Sequence, residues 1–93
     1  MTDRGAILAE AARLIAGDRA KDYGDAVETH QAVAAMFNAA KGQSVLTGGD
    51  VVLLMRLLKI RRSVTTPTHR DSYVDECGYA AIGYDVAIAE AAL

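Results

Sequence analysis

In 93 residues the chain has one proline, one cysteine, one phenylalanine and no tryptophan. The lone Cys77 cannot close an intramolecular disulfide, which fits a reducing cytoplasm. No apolar run approaches the ~20 residues that span a bilayer, so no membrane partner is expected. Charge of one sign is scarce too: the net charge is −2 and the sequence pI about 5.5. With no global basic field, duplex nucleic acid is not an expected partner. Met1-Thr2-Asp3-Arg4-Gly5 carries no basic n-region leading into an apolar core, so no signal peptide is expected and the expected location is cytoplasmic. There is no internal repeat, no Gly-x-Ser-x-Gly elbow, no Walker loop and no dinucleotide fingerprint. Gly48-Gly49 is too short to cradle a pyrophosphate, and no His/Cys spacing resembles a zinc site. Nucleophilic catalysis of the familiar kinds therefore has no support.

What the chain does have is alanine, eighteen residues of it, within a 52% hydrophobic composition. Alanine favours helix and close backbone approach but buries little per side chain. A chain of 9.8 kDa is one domain, residues 1–93, and a marginal one when alone, because small chains bury a smaller share of their surface. Thin side chains and abundant apolar positions together imply that other copies cover some of them, so a homo-oligomer is expected.

The periodicity is helical throughout. Ile7, Leu8, Ala11, Ala12, Leu14 and Ile15 form a first helix, capped by Thr2 or Asp3 and stopped at Gly17. Asp25 with Glu28 opens a second, which carries Val27, Val33, Ala34, Met36 and Phe37 to a stop near Gly42. Thr47 with Asp50 opens a third along Val51, Leu54, Met55, Leu58 and Ile60. The run Ser63-Val64-Thr65-Thr66-Pro67 breaks the pattern, and Thr68 with Asp71 opens the last helix. The expected fold is an all-α compact bundle of about four helices.

Several polar residues sit oddly in such a bundle. Lys59 lies among Leu57, Leu58 and Ile60, and Arg62 shares its face. As a border lysine it would snorkel; as part of a cationic pair it would meet carboxylates or phosphate. On the last helix Asp71, Asp75 and Tyr79 fall on one stripe with Glu76 alongside. Asp71 suits the helix N-terminus, but Asp75 needs either a cation from Lys59 or Arg62 or a divalent metal. Tyr23 beside Gly24, within the charged segment Arg19 to Asp25, either packs on the bundle end or stacks a base. His30 reads as a satisfied boundary residue of the second helix. His69-Arg70 begins the last helix, where backbone N–H groups favour anions.

Gly17-Asp18-Arg19, Lys21-Asp22-Tyr23-Gly24-Asp25, Glu28, His30, Asp50-Val51, Met55, Leu58-Lys59-Ile60, Arg62, His69 through Asp75 and Gly78-Tyr79 together resemble a small helical family widespread in bacteriophages and prophages. The blocks run in order from about residue 10 to about residue 85. A related group is the nucleotide modification-associated domain. Both are distantly similar to MazG-like all-α pyrophosphohydrolases, which cut nucleoside triphosphates to monophosphate and pyrophosphate with Mg²⁺.

The resemblance implies a nucleotide-type small-molecule ligand in the host cytoplasm. It implies phosphate contacts from Arg19, Lys21, Lys59, Arg62, His69 and Arg70, with Tyr23 stacking on the base. Mg²⁺ would be held by Glu28, Asp71 and Asp75, with Asp25 as an alternative. Where MazG-like enzymes place a second acid three residues after the first, this chain has Gln31 after Glu28, a departure that weakens hydrolysis more than binding. Two alternatives follow: a non-catalytic sponge that sequesters a nucleotide-derived signal of the cyclic nucleotide or ADP-ribose type, and a structural or regulatory bundle with no ligand.

Overall fold

The computed structural model describes residues 2–18 and 24–92. Among these the fold is all-α, with four helices and no strand: α1 Asp3–Arg13, continued by a π-helical stretch Leu14–Asp18, then α2 Ala26–Lys41, α3 Gly48–Thr65 and α4 Arg70–Ala91. No helix among the described residues is long and apolar enough to cross a membrane.

Most boundaries follow from local capping. Thr2 Oγ1 accepts from the Gly5 N–H at 3.0 Å, which makes Thr2 rather than Asp3 the cap of α1. Asp25 Oδ1 accepts from the Glu28 N–H at 3.0 Å at the start of α2. Gly42 ends α2 in the left-handed conformation, φ 67°, which costs a glycine nothing. Thr47 and Asp50 form the reciprocal box at the start of α3, with bonds of 3.1 and 2.9 Å.

Three expected boundaries are corrected. Gly17 does not stop the first helix: it has no positive φ, and the chain widens into π-helix through it instead. The third helix does not break at Ser63, because Ser63 Oγ donates to the Ile60 carbonyl and Thr65 Oγ1 to that of Arg61, at 2.7 and 3.2 Å. The helix therefore continues to Thr65 and ends only at Thr66, the residue that Pro67 excludes from the α region. Nor does Thr68 cap α4. A turn in which the His69 N–H donates to the Thr66 carbonyl carries the helix start one residue further, so His69 is the N-cap, and its ring Nδ1 lies 3.1 Å from Ser72 Oγ.

Asn38 organises the connection between α2 and α3. Its Nδ2 donates to the Leu46 carbonyl at 2.8 Å, while its Oδ1 accepts from the N–H groups of Val45 and Leu46 at 3.0 and 2.9 Å. Asn38→Ala is expected to destabilise the fold by about 1–3 kcal/mol, since it unpairs three backbone groups at once. Thermal melting followed by circular dichroism checks it; an unchanged midpoint would show that water replaces the amide at no cost.

The core is small: Ala11, Ala34, Val51, Val52, Val74 and Val86, with Ser72 buried among them. Of the apolar residues read at helical spacing on the third helix, only Val51 is buried. Met55 is half-buried, and Leu54, Leu58 and Ile60 are exposed. Valines and alanines fill the interior because α3 and α4 pack closely. Gly48 and Gly83 let the helices approach, and a Cβ on either would lie 3.2 Å from Val86 Cγ1 or Val52 Cγ1.

Candidate functional site

A cleft of about 640 Å³ runs between α1 with its π-helical extension, α2 and the inner faces of α3 and α4. Leu14, Ile15, Val33, Val51, Met55 and Ile82 provide much of its apolar wall. Six polar side chains line the same space: Asp25, Thr29 and His30 from the start of α2, and Asp75, Tyr79 and Asp85 from α4. The π-helical turn supplies Leu14 and Ile15, and wide turns of this kind recur at functional sites. Gly78 leaves room for Ile15, whose Cγ2 would lie 3.3 Å from a Cβ at that position.

His30 and Tyr79 form an edge-to-face aromatic pair, with ring centroids 6.0 Å apart and planes at 82°. His30 Nδ1 lies 2.6 Å from the Ala26 carbonyl oxygen. A carbonyl only accepts, so Nδ1 carries the proton and Nε2 is the acceptor of the neutral ring. The cleft thus holds an aromatic edge, an imidazole acceptor and three carboxylates.

The expected site residues divide among different places. Lys59 Nζ lies 3.1 Å from Asp75 Oδ2, with the two side chains 12% and 18% exposed. Of the two cations expected to meet Asp75, Lys59 is the one bonded to it, while Arg62 lies in a separate groove. One turn away, Arg56 Nε pairs with Glu76 Oε1 at 3.1 Å and ties α3 to α4 a second time. Arg70 is bonded to Glu10 across α4 and α1. Arg62 and His69 share a separate groove of about 460 Å³ with Arg61, Thr65 and Thr66, at the turn between α3 and α4. Glu28 and Asp71 are exposed in the first turns of α2 and α4. Arg19, Lys21 and Tyr23 lie outside the described residues.

Among the described residues, no three of histidine, cysteine, aspartate and glutamate are grouped so as to hold a metal ion. A Mg²⁺ ion wants a near-octahedral set of oxygens. Glu28, Asp71 and Asp75 do not supply one as placed, with Asp75 engaged by an ammonium. No chemical step is derived through that ion.

Sequence reasoning put Tyr79 on the right stripe with Asp75 but extended the stripe to Asp71, which the cleft does not include. His30 reads as a boundary residue, and its position four residues after Ala26 carries no signal that it would meet Tyr79. Asp85 had none either, because the cleft wall on α4 is two turns longer than the acidic stripe. A further contact went unseen. The Glu90 carboxylate accepts from the backbone N–H groups of Gly48 and Gly49, at 3.2 and 2.8 Å, and so fills the N-terminus of α3. The anion that the two glycine N–H groups hold is the chain's own carboxylate.

The chain matches a family described as "Domain of unknown function (DUF6378)" over residues 6–87. It is 43% identical over 76 residues to the Gene 55 protein of Mycobacterium phage L5, covering 82% of this chain and 49% of that protein. To the Gene 55 protein of Mycobacterium phage D29 it is 43% identical over 74 residues, covering 80% of this chain and 48% of that protein. The chain therefore spans about half the length of the curated relatives it matches. No solved structure matches it. The phage kinship expected from the ordered blocks is thus found.

Proposed function

This chain belongs to the DUF6378 family, and we propose that it binds a nucleotide-type small molecule in the cleft between α1, α2 and α4 without hydrolysing it. One observation carries the reading: a largely apolar cleft of about 640 Å³ whose few polar groups converge around an aromatic pair. Ligand sites of small-molecule size have this make-up. Tyr79 and His30 offer a ring edge and face to a base. His30 Nε2 and the carboxylates of Asp25 and Asp85 accept from the amino and hydroxyl groups of base and sugar. The phosphate end falls to Arg19 and Lys21, which precede Gly24 and Asp25 of the cleft wall by a few residues of chain. Lys59 is a weaker candidate for that role, since it already neutralises Asp75.

Binding is preferred to hydrolysis because the carboxylates proposed for Mg²⁺ stand apart, and because Gln31 occupies the place of the second acid on α2. This is the sponge among the readings opened by the sequence.

A thermal-shift screen of mononucleotides, dinucleotides and cyclic nucleotides, with and without Mg²⁺, tests the proposal. A ligand at a hundred times its Kd should raise the unfolding free energy by about 2.7 kcal/mol. Tyr79→Leu is expected to weaken binding about tenfold by calorimetry while keeping its helical circular dichroism. Ligand recovered intact after denaturing the complex supports a binder, whereas recovered monophosphate and pyrophosphate would restore the hydrolase. No shift with any nucleotide removes the proposal.

A further inference from the structure

The polar side chains of the cleft are mostly hydrogen-bond acceptors. Three of the six are carboxylates, which at neutral pH have lone pairs and no proton to give. Among the described residues no lysine or arginine lines the space. Asp25 and Asp85 stand exposed at the rim, while Asp75 lies deeper, against Lys59. Asp25 commits Oδ1 to the Glu28 N–H. Its Oδ2 and both oxygens of Asp85 have no hydrogen bond to a described residue.

His30 is the fourth acceptor, and its tautomer makes it one. Nδ1 gives its proton to the Ala26 carbonyl one turn back on α2, at 2.6 Å. Nε2, across the ring from that bond, is left with a lone pair. It has no partner among the described residues, and the edge-to-face contact with Tyr79 holds the plane of the ring. The hydroxyls of Thr29 and Tyr79 both donate and accept, so they favour neither kind of ligand group. The cleft therefore calls for donors.

Nucleobases differ in what they bring to such a site. Adenine and cytosine carry an exocyclic amino group, which presents two hydrogens. Hypoxanthine and uracil have a carbonyl oxygen in its place, beside a single ring N–H. Two acceptors can each take one hydrogen of an amino group. A carbonyl oxygen turned toward the same acceptors sets lone pair against lone pair and leaves all of them unbonded. Sites built to bond an N–H reject the analogue that lacks it far more strongly than apolar pockets reject a missing methylene.

We infer that the cleft selects bases with an amino group where others have a carbonyl, adenine and cytosine over hypoxanthine and uracil. The amino group donates one hydrogen to His30 Nε2 and the other to a rim carboxylate. This selection rests on the nucleotide reading above and narrows it to a class of base. The Ala26 carbonyl sets the selection indirectly, because its bond to Nδ1 fixes Nε2 as the acceptor.

Calorimetry with two matched pairs tests it, AMP against IMP and CMP against UMP, since sugar and phosphate are the same within each. The amino member should bind at least about tenfold more tightly, the loss expected from an acceptor left unpaired. His30→Phe keeps a ring against Tyr79 and removes the acceptor. AMP should then bind about tenfold more weakly and IMP as before, so that their ratio approaches one. The double variant Asp25→Asn/Asp85→Asn keeps the test decisive where His30→Phe fails to fold. Both positions are exposed, and asparagine caps α2 as well as aspartate does. Its amide also donates, so IMP should gain on AMP. Equal or reversed affinities within a pair that binds overturn the selection and leave the nucleotide reading standing. An AMP preference that neither variant reduces overturns it too. If none of the four nucleotides binds, the reading and the selection fall together.

Discussion

Lys59→Met is expected to destabilise the fold by about 2–4 kcal/mol, somewhat under the cost of breaking a fully buried ion pair. The ammonium 3.1 Å from Asp75 sits at a border only 12% exposed, where water replaces it poorly. Methionine keeps the length of the stem, so packing against α4 survives and the loss is chiefly electrostatic. The double variant Lys59→Met/Asp75→Leu should recover part of the deficit, because the carboxylate that faced the ammonium is then removed with it. Denaturant unfolding of the two single variants and the double one reads the coupling directly. Additive losses would mean that the pair contributes nothing as a pair. The expected cost bears on ligand experiments as well. A variant at Lys59 or Asp75 that loses binding also loses stability, so Tyr79 is the cleaner probe of the cleft.

Gly48→Val should be the other large effect. Even an alanine Cβ at this position would lie 2.9 Å from Gln31 Cγ, 3.3 Å from the Gln31 backbone nitrogen and 3.2 Å from Val86 Cγ1. Val86 is fully buried and has nowhere to retreat. Overpacking of this kind costs about 1–3 kcal/mol, and a branched side chain belongs at the top of that range or above it. A shift also drags the Gly48 and Gly49 N–H groups away from Glu90, which adds the loss of two charge-assisted hydrogen bonds. A fall of roughly 10 °C or more in the melting temperature is expected for a domain of this size. Gly17→Ala is the internal control: nothing lies within 4 Å of a Cβ there and its φ is not positive, so it should be near neutral. Equal losses in the two variants would show that glycine flexibility, rather than close approach, is what matters at residue 48.

The features that could be read from the sequence are those written within four residues. The Thr47–Asp50 box, the Asp25 cap and the left-handed Gly42 depend on neighbours along the chain, and each was legible for that reason. The Lys59–Asp75 pair was half-legible: both charges were conspicuous, but their meeting needed the crossing of α3 and α4. Glu90 at the start of α3 was not legible, since 41 or 42 residues separate it from its partners and nothing local about Glu90 distinguishes it. The apolar stripe of α3 shows a different limit. Periodicity finds an apolar face, yet a face turned toward the core and one turned outward have the same period. Leu54 and Leu58 belonged to the pattern as surely as Val51, and only packing told them apart. The cleft failed for a related reason, because Asp25, His30, Tyr79 and Asp85 converge from two helices far apart in sequence.

The contacts between α3 and α4 also bear on how the chain reaches its shape. From the turn at Pro67 outward they join Lys59 to Asp75, Arg56 to Glu76, the Val52 side chain to the backbone at Gly83 and Gly48 to Glu90. Each closes a loop only modestly longer than the one before, so once the first is made the chain-entropy cost of the next is small. The two helices can therefore zip from the proline end, and the Glu90 bond to the glycines is the last tooth rather than the first. The contacts are nested, at separations of 16, 20, 31 and 42 residues, so each one shortens the loop that the next must close. That order leaves α1 and α2 to dock on a hairpin that is already formed.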